Sequence, residues 1–291
     1  MPQQKKTTYG LIGNPVVHSL SPVIHNIAFK ELNVDAVYEL FPLEEHELGD
    51  FFTRLKEKSS CIFGLNVTVP YKEKVIPFLD SLSPFAQKAN AVNTIVITKK
   101  RQLKGFNTDG PGFLTHLVEL GFDTKEKRVA ILGAGGASRA IVAAFCVLPQ
   151  KPNSIKIYDL YPVRTEKLIA DLGQKLDASI VQSVSDINDL NIEISDLLIN
   201  ATPIGMKETD PCLIDGESLH AKLLVVDCIY KPLETKLLKL AKAQGARTAN
   251  GLGMLFYQAV LAFQHWADIE LADDIKDKMR RSLREAAGDD R

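Results

Sequence analysis

The sequence has few cysteines and histidines, and none of them stands in a spacing typical of a metal site. The four cysteines lie far apart without a CxxC pair, and the six histidines form no HxH or HxxxH pattern. Three of the cysteines lie in apolar runs, where a free thiol behaves as a small hydrophobic side chain. We therefore expect no bound metal and a reducing compartment.

Long hydrophobic runs and a strong excess of one charge are also absent. No run approaches the length of a membrane span, and the N-terminal "MPQQKKTTYG" lacks the apolar region of a signal peptide. The net charge of −1 argues against a strongly basic nucleic-acid surface. These features favour a cytoplasmic protein without nucleic-acid or membrane partners. Whether it is a monomer or a homodimer stays open.

What the sequence does contain is a near-continuous alternation of strand-like and helix-like segments. Its 291 residues allow one large or two ordinary domains. "TTYGLIG" predicts a strand, followed by a helix with Ser21 at its cap. A strand ending in "NVTVP" is expected to lead into a helix from Tyr71, and "KKRQ" predicts a hairpin loop. The alternation as a whole predicts an α/β protein with a doubly wound parallel sheet.

The most diagnostic local pattern is "VAILGAGGASRA", in which a buried strand leads through glycines into a helix. Gly133 and Gly135 permit a tight turn and a close approach of the backbone to a pyrophosphate, which amides at the helix start can bind. Ser138 replaces the usual third glycine and is still small. The alternative is a purely structural turn, but the order of strand, turn and helix favours a dinucleotide site.

The end of the next strand bears on which dinucleotide binds. Asp159 is expected beside the adenosine ribose, where a carboxylate accepts hydrogen bonds from hydroxyls and repels a 2′-phosphate. This favours NAD, with NADP possible. Arg164, five residues on, could reach a 2′-phosphate or could be a solvated residue in the first turn of the next helix.

Polar side chains in the first part of the chain fall where its predicted strands end. Ligands of open α/β sheets bind at the carboxyl ends of the strands. Hydride transfer to a carbonyl also requires a proton donor. The polar residues at these strand ends are Ser19, Ser21, Asn66, Thr68, Asn93 and Asp109.

Motifs along almost the whole chain make it closely resemble the shikimate dehydrogenases. They are, in order, "YGLIGNPVVHSLSPVIHN", "GLNVTVPYK", "KANAVNTI", "GFNTDG", "GAGGASRA", "NATPIGM", "DCIYKPLETKLL" and "NGLGMLFYQA". The resemblance implies an N-terminal α/β/α substrate domain, residues 1–109, completed by C-terminal helices in 251–291. It also implies a Rossmann-type NAD(P) domain over 110–250.

The resemblance further implies roles for individual residues. Lys72 would be the general acid/base, and Asp109 would orient it and bind the substrate. Substrate contacts would come from Ser19, Ser21, Asn66, Thr68, Asn93, Tyr230 and Gln258. Cofactor contacts would come from Gly133, Ala134, Gly135, Gly136, Ala137, Asp159, Arg164, Thr202, Cys228 and Gly251. Taken singly, Lys72 could instead be a solvated lysine and Asp109 a helix cap; their joint occurrence with the other motifs favours catalysis.

One position departs from the family pattern. Members that use NADP typically carry Asn-Arg-Thr after the second strand of the nucleotide domain, whereas this chain has Asp159-Leu160-Tyr161. The expected activity is therefore reversible reduction of 3-dehydroshikimate to shikimate with NAD preferred. An NAD-dependent quinate/shikimate dehydrogenase acting mainly on quinate is the alternative. A nucleotide-binding regulatory protein without catalysis is more remote, because it would not need the lysine and the aspartate.

Overall fold

The computed structural model describes residues 6–289 of the chain. Residues 1–5 and 290–291, the outer ends of the expected substrate domain, lie outside the described residues. The chain forms two compact units. Unit one comprises the described residues up to Thr108 and from Phe256 onward, and unit two comprises Asp109–Leu255.

Each unit is built around one six-stranded sheet. Within the described chain the strands are β1 (Thr7–Gly13), β2 (Ala36–Pro42), β3 (Ile62–Val67), β4 (Ser81–Leu82), β5 (Thr94–Ile97), β6 (Leu103–Phe106), β7 (Arg128–Leu132), β8 (Ser154–Tyr158), β9 (Val181–Val184), β10 (Leu197–Asn200), β11 (Leu224–Asp227) and β12 (Arg247–Ala249). The α-helices are α1 (Ser21–Glu31), α2 (Leu48–Leu55), α3 (Pro84–Ala89), α4 (Asp109–Glu119), α5 (Gly136–Val147), α6 (Pro162–Gly173), α7 (Lys236–Ala243), α8 (Leu252–Ala267) and α9 (Asp273–Ala287).

The sheet of unit one has the order β2-β1-β3-β5-β6-β4. β1 pairs in parallel with β2 and β3, while β5 runs antiparallel to both β3 and β6. The predicted hairpin is therefore present, with "KKRQ" in the loop between β5 and β6. Large side chains such as Phe52, Leu65 and Tyr71, each at most 2% exposed, pack in its core.

The sheet of unit two is parallel throughout, in the order β12-β11-β10-β7-β8-β9. The chain moves outward from β7 through β8 to β9, then returns to β10 on the other side of β7. The strand order thus reverses between β7 and β10, and ligands of doubly wound sheets bind at such a switch point. This topology confirms the prediction of an α/β protein with a Rossmann-type domain.

Some local predictions were wrong. No α-helix starts at Tyr71; turns lead instead to a single 3₁₀ turn, Ile76–Phe78. Pro77 accounts for this difference, because a proline disfavours the α conformation of the residue before it. Three short strands, β4, β9 and β12, and the short helix α3 were not predicted. Across residues 6–289, no helix combines the length and the low polarity that crossing a membrane would require.

Candidate active site

Two serine hydroxyls lie together at the start of α1. Ser19 Oγ is 3.1 Å from Ser21 Oγ and accepts the backbone N–H of Ser21 at 3.2 Å. The helix begins at Ser21, with Leu20 in the cap position, so the prediction that Ser21 is the cap was wrong. Ser19 instead bonds an amide of the first turn. Two hydroxyls at the positive end of a helix dipole form a suitable environment for a carboxylate.

Two residues of the "SPVIHN" segment, His25 and Asn26, contact Tyr38 of β2, a residue that sequence reasoning missed. His25 stacks on the Tyr38 ring with centroids 4.5 Å apart. Asn26 accepts the backbone N–H of Tyr38 at 2.8 Å and donates to its carbonyl at 3.3 Å. Tyr38, 2% exposed, then donates its hydroxyl to Asn66 Oδ1 at 2.8 Å. The motif therefore fixes β2 and, through Tyr38, the side chain of Asn66.

The side-chain amide of Asn66, the penultimate residue of β3, donates hydrogen bonds to neighbouring residues. Its Nδ2 donates to the carbonyl of Asn93 and to Thr94 Oγ1, both at 3.1 Å. Both amide hydrogens are thus used within the protein. Since Oδ1 has two lone pairs and accepts from Tyr38, what Asn66 can offer a ligand in this arrangement is an acceptor.

Asn93 joins three segments of unit one. Its Nδ2 donates to Thr108 Oγ1 at 2.9 Å and to Gln258 Oε1 at 3.4 Å, and its Oδ1 accepts the Thr108 N–H at 2.7 Å. All three residues are at most 8% exposed. The structure therefore brings Asn66, Asn93 and Gln258 into one buried polar network, as expected of side chains that share a site.

Lys72 lies on the turn that follows β3. The backbone N–H of Thr68 donates to the Ile12 carbonyl at 2.9 Å, and the carbonyl of Lys72 accepts Val92 N–H at 2.7 Å. Between them, Tyr71 is 1% exposed and donates its hydroxyl to a backbone carbonyl at 2.6 Å. This buried ring anchors the turn and leaves Lys72 partly exposed beside the polar network. Asp109, 5% exposed, is the first residue of α4 in unit two and lies inside the helix rather than before it.

In unit two, the glycine-rich turn follows β7 at the switch point. Gly133 has φ +95°, and a Cβ there would lie 2.9 Å from Thr202 Cγ2 and 3.0 Å from the carbonyl oxygen of Ala201. Both the dihedral angle and the space require glycine. Gly135 occupies the cap of α5, and the helix proper starts at Gly136. The helix start therefore presents backbone amides without a side-chain cap, which fits a pyrophosphate.

Asp159 follows β8 and holds this turn. One carboxylate oxygen accepts Ala134 N–H at 2.9 Å, and the other accepts Tyr161 N–H at 2.9 Å. Arg164 Nη1 lies 3.9 Å from Asp159, and its guanidinium lies 4.6 Å over the Tyr161 ring. Leu160 is 60% exposed. The carboxylate lies at the end of β8 and holds the glycine-rich turn through its bond to Ala134.

The remaining expected cofactor residues follow three strands of unit two: Thr202 follows β10, Cys228 follows β11 and Gly251 follows β12. Asn200 Oδ1 accepts both the N–H of Thr202 at 3.1 Å and its hydroxyl at 2.7 Å. The carbonyl of Cys228 would lie 2.1 Å from a Cβ at Gly251, so these two segments touch through backbone. Tyr230 is partly buried, and burial raises the pKa of its phenol.

Sequence reasoning did not single out Tyr38, Thr108, Asn200 or Asp227 as site residues. Asn200 and Asp227 open the motifs "NATPIGM" and "DCIYKPLETKLL", so a polar residue at the last position of a buried strand was the available signal. Tyr38 had no such signal, because a tyrosine inside a strand normally indicates packing alone.

A unit with polar strand ends and a second unit with a Rossmann-type turn define a two-domain α/β protein of the dinucleotide-binding class. The family model for the shikimate dehydrogenase substrate binding domain matches residues 11–95. A curated shikimate dehydrogenase (NADP(+)) of Moorella thermoacetica is 40% identical over 291 residues, which cover 98% of this chain and 96% of that protein. The chain belongs to the shikimate dehydrogenase family.

Two solved structures are similar over nearly their whole length. Shikimate 5-dehydrogenase of Listeria monocytogenes, in complex with shikimate and NAD, has 36% identity and a TM-score of 0.82, covering 94% of this chain and 96% of that one. Quinate dehydrogenase of Corynebacterium glutamicum, in complex with NAD, has 30% identity and a TM-score of 0.84, covering 96% and 99%.

Proposed function

We propose that this protein catalyses the reversible, NAD(P)-dependent reduction of 3-dehydroshikimate to shikimate in the cytoplasm. The observation that carries the proposal is the buried network of Asn66, Asn93 and Gln258 at the strand ends of unit one, beside the anchored turn of Lys72. A polyhydroxylated ring needs several oriented donors and acceptors at once. Unit two, considered by itself, carries a turn whose glycines and helix amides suit a pyrophosphate.

The substrate carboxylate is assigned to Ser19, Ser21 and Tyr230. The two serine hydroxyls, 3.1 Å apart at a helix start, can both donate to one carboxylate. The ring hydroxyls are assigned to Asn66, Thr68, Asn93 and Gln258. Because both Nδ2 hydrogens of Asn66 are donated within the protein, its part is to accept from a substrate hydroxyl.

The bound dinucleotide would supply the hydride to the carbonyl carbon, or accept it in the reverse direction. As the carbonyl oxygen gains negative charge, the ammonium of Lys72 donates a proton to it, and in oxidation the lysine takes that proton back. Asp109 orients Lys72 and accepts a hydrogen bond from the substrate hydroxyl. One hydride and one proton are transferred, so the conversion of ketone to alcohol is balanced.

We further propose that NAD is preferred over NADP. The Asp159 carboxylate lies at the second strand end of unit two, and the exposed Leu160 provides no guanidinium for a 2′-phosphate. The Moorella thermoacetica relative is named as an NADP(+) enzyme, whereas the Listeria monocytogenes structure holds NAD. The family therefore accommodates both, and the choice in this chain depends on Asp159 and Arg164.

Oxidation of quinate is the second candidate. It is favoured by Asp159 at the end of β8, and by the similarity to a quinate dehydrogenase solved with NAD. Quinate has an additional hydroxyl on the carbon that bears the carboxylate. The preference for shikimate or quinate would therefore depend on Ser19, Ser21 and Tyr230, where the paired serines suit shikimate.

A four-way assay tests the proposal, with shikimate or quinate combined with NAD or NADP and compared by kcat/KM. We expect the largest value for shikimate with NAD. A larger value for quinate would establish the alternative, and a larger value for NADP would overturn the cofactor preference. Absence of turnover with all four pairs, in protein that still binds dinucleotide, would favour a non-catalytic role.

A further inference from the structure

A buried carboxylate that the proposed mechanism does not use lies at the end of β11. Asp227 is 0% exposed. Its Oδ1 accepts Asn200 Nδ2 at 3.0 Å and Ile229 N–H at 3.0 Å, and its Oδ2 accepts Thr235 Oγ1 at 2.7 Å. Burial raises the pKa of this carboxyl, and the three hydrogen-bond donors act in the opposite direction. An acidic group so deeply buried is costly unless it is bonded in this way.

The first of these bonds leads to the glycine-rich turn. Asn200 uses its other amide hydrogen on the Ile204 carbonyl at 3.1 Å, and its Oδ1 accepts from both the N–H and the hydroxyl of Thr202. Thr202 Oγ1 in turn accepts Ile204 N–H at 3.1 Å. The side chain of Thr202 packs so closely against Gly133 that a Cβ there would lie 2.9 Å from its methyl carbon. Asp227 thus fixes the loop that forms one wall of the turn.

The other two bonds fix the loop after β11. Ile229 N–H is held directly, and the preceding carbonyl, that of Cys228, lies against Gly251. Thr235, bonded to Oδ2, caps α7 by accepting Leu238 N–H at 3.3 Å. A single carboxylate therefore joins the loop after β10, the loop after β11 and the start of α7.

We infer that Asp227 is a positioning residue for the dinucleotide. It fixes the loop of Thr202 and the loop of Cys228 relative to each other at the switch point. The inference rests on the proposed function, because it places the dinucleotide against these two loops. It is carried by the bonds to Asn200, Ile229 and Thr235, all of which lie within unit two. Because Asp227 is 0% exposed, its carboxylate acts through the loops that it holds.

The test compares dinucleotide binding by the full chain and by the variant Asp227→Asn. An amide keeps one acceptor oxygen and has an NH2 group in place of the other oxygen, so the three groups that donate to the carboxylate cannot all donate to asparagine. We expect the Kd for NADH and for NADPH, measured by the fluorescence of the bound nicotinamide, to rise about tenfold or more. The KM for shikimate should rise less than the Kd for the dinucleotide, because most of the assigned substrate contacts lie in unit one and only Tyr230 lies on a loop that Asp227 holds.

Asp196→Asn is the matched control. Asp196 precedes β10, at the opposite end from Asn200, and accepts the Arg128 N–H at 2.9 Å. Its loss should lower the Tm of the protein and leave dinucleotide affinity unchanged. Equal effects of Asp196→Asn and Asp227→Asn on affinity would overturn the positioning role, and so would a folded Asp227→Asn variant that binds dinucleotide like the wild type.

A second variant keeps the test decisive if Asp227→Asn does not fold. Asn200→Ala cuts the connection to the loop of Thr202 and leaves the other two bonds of Asp227 in place. We expect weaker dinucleotide binding here as well, and wild-type affinity would refute the inference. Wild-type protein that binds neither NADH nor NADPH would instead refute the proposed function, and the inference with it.

Discussion

Acid should destabilise unit one through His25, a histidine with no role in the proposed chemistry. Its ring is 0% exposed, and neither ring nitrogen has a hydrogen-bond partner among the described residues. It packs against Tyr38, Phe263 and Trp266, with ring centroids 4.5, 6.3 and 4.9 Å away. Burial lowers the pKa of His25 from 6.5 to about 3, although neighbouring Asn66 acts in the opposite direction.

The direction and size of the effect follow from this pKa difference. Between pH 6.5 and pH 3 the unfolded chain binds a proton at His25 that the folded chain excludes, so lowering the pH favours unfolding. At about pH 5 the penalty is roughly 2 kcal/mol relative to neutral pH, and it approaches about 5 kcal/mol below pH 3. A loss of 2 kcal/mol is a large fraction of the stability of an ordinary domain. Burial also lowers the pKa of His265, which adds to the effect in the same direction.

The chain has one tryptophan, and it reports on this region directly. Trp266 contacts His25, so urea unfolding followed by its fluorescence measures the stability of unit one. The quantity to compare is the free energy of unfolding of the wild type minus that of His25→Gln, at several pH values. Other titrating groups contribute equally to both proteins and cancel. We expect this difference to fall by about 2 kcal/mol between about pH 8 and pH 5.

His46→Gln provides the control, because His46 is exposed on the short 45–47 segment before α2. This variant should follow the wild-type dependence of stability on pH. A difference between wild type and His25→Gln that stays constant from pH 8 to pH 5 would refute the reasoning. It would mean that the His25 site admits a proton without penalty.

The remaining predictions concern activity. Lys72→Ala should lower kcat by about two to four orders of magnitude with a smaller change in substrate affinity, and near wild-type turnover would refute the acid/base role. Asp109→Asn should lower kcat about tenfold or more with an unchanged Tm, because an amide cannot hold a lysine by charge; a lowered Tm with normal specific activity would make Asp109 structural. Tyr38→Phe should raise the KM for shikimate several-fold and leave the KM for NAD unchanged, since it removes the hydroxyl that donates to Asn66 Oδ1 and helps to orient that side chain; equal changes in both would contradict this. Asp159→Asn should shift the kcat/KM ratio towards NADP about tenfold, and Arg164→Gln should lower activity with NADP if that guanidinium reaches a 2′-phosphate.

The sequence predicts most of the fold because strong local signals agree with one another. The strand, turn and helix around Gly133 have the predicted order, and the hairpin after "NTIVIT" is found between β5 and β6. The helix expected from Tyr71 is not formed, because Pro77 disfavours the α conformation before it and the segment makes only a single 3₁₀ turn. The short strands β9 and β12 are edge strands of three or four residues, too short for a periodic signal.

The candidate site was predictable as a set of residue types, but not as a network. Sequence motifs indicate Asn66, Asn93 and Gln258 together, yet the bond between Asn93 and Gln258 joins residues 165 positions apart. Tyr38 connects to Asn66 only because β1 lies between β2 and β3 in the sheet. Such contacts depend on strand order, which local patterns do not determine.

Two acidic residues of unit two, Asp159 and Asp227, show why the charge of a carboxylate and its hydrogen bonds to the backbone must be tested separately. Asp159 accepts Ala134 N–H and Tyr161 N–H, so its carboxylate shapes the glycine-rich turn as well as setting the local charge. Asp159→Ala removes both functions and should weaken NAD and NADP alike. Asp159→Asn removes the charge but keeps one acceptor, so it is the variant in which electrostatic repulsion of a 2′-phosphate can be measured. Asp227, at the end of β11, likewise accepts a backbone amide, that of Ile229. In both places a buried carboxylate therefore fixes a loop that faces the proposed dinucleotide.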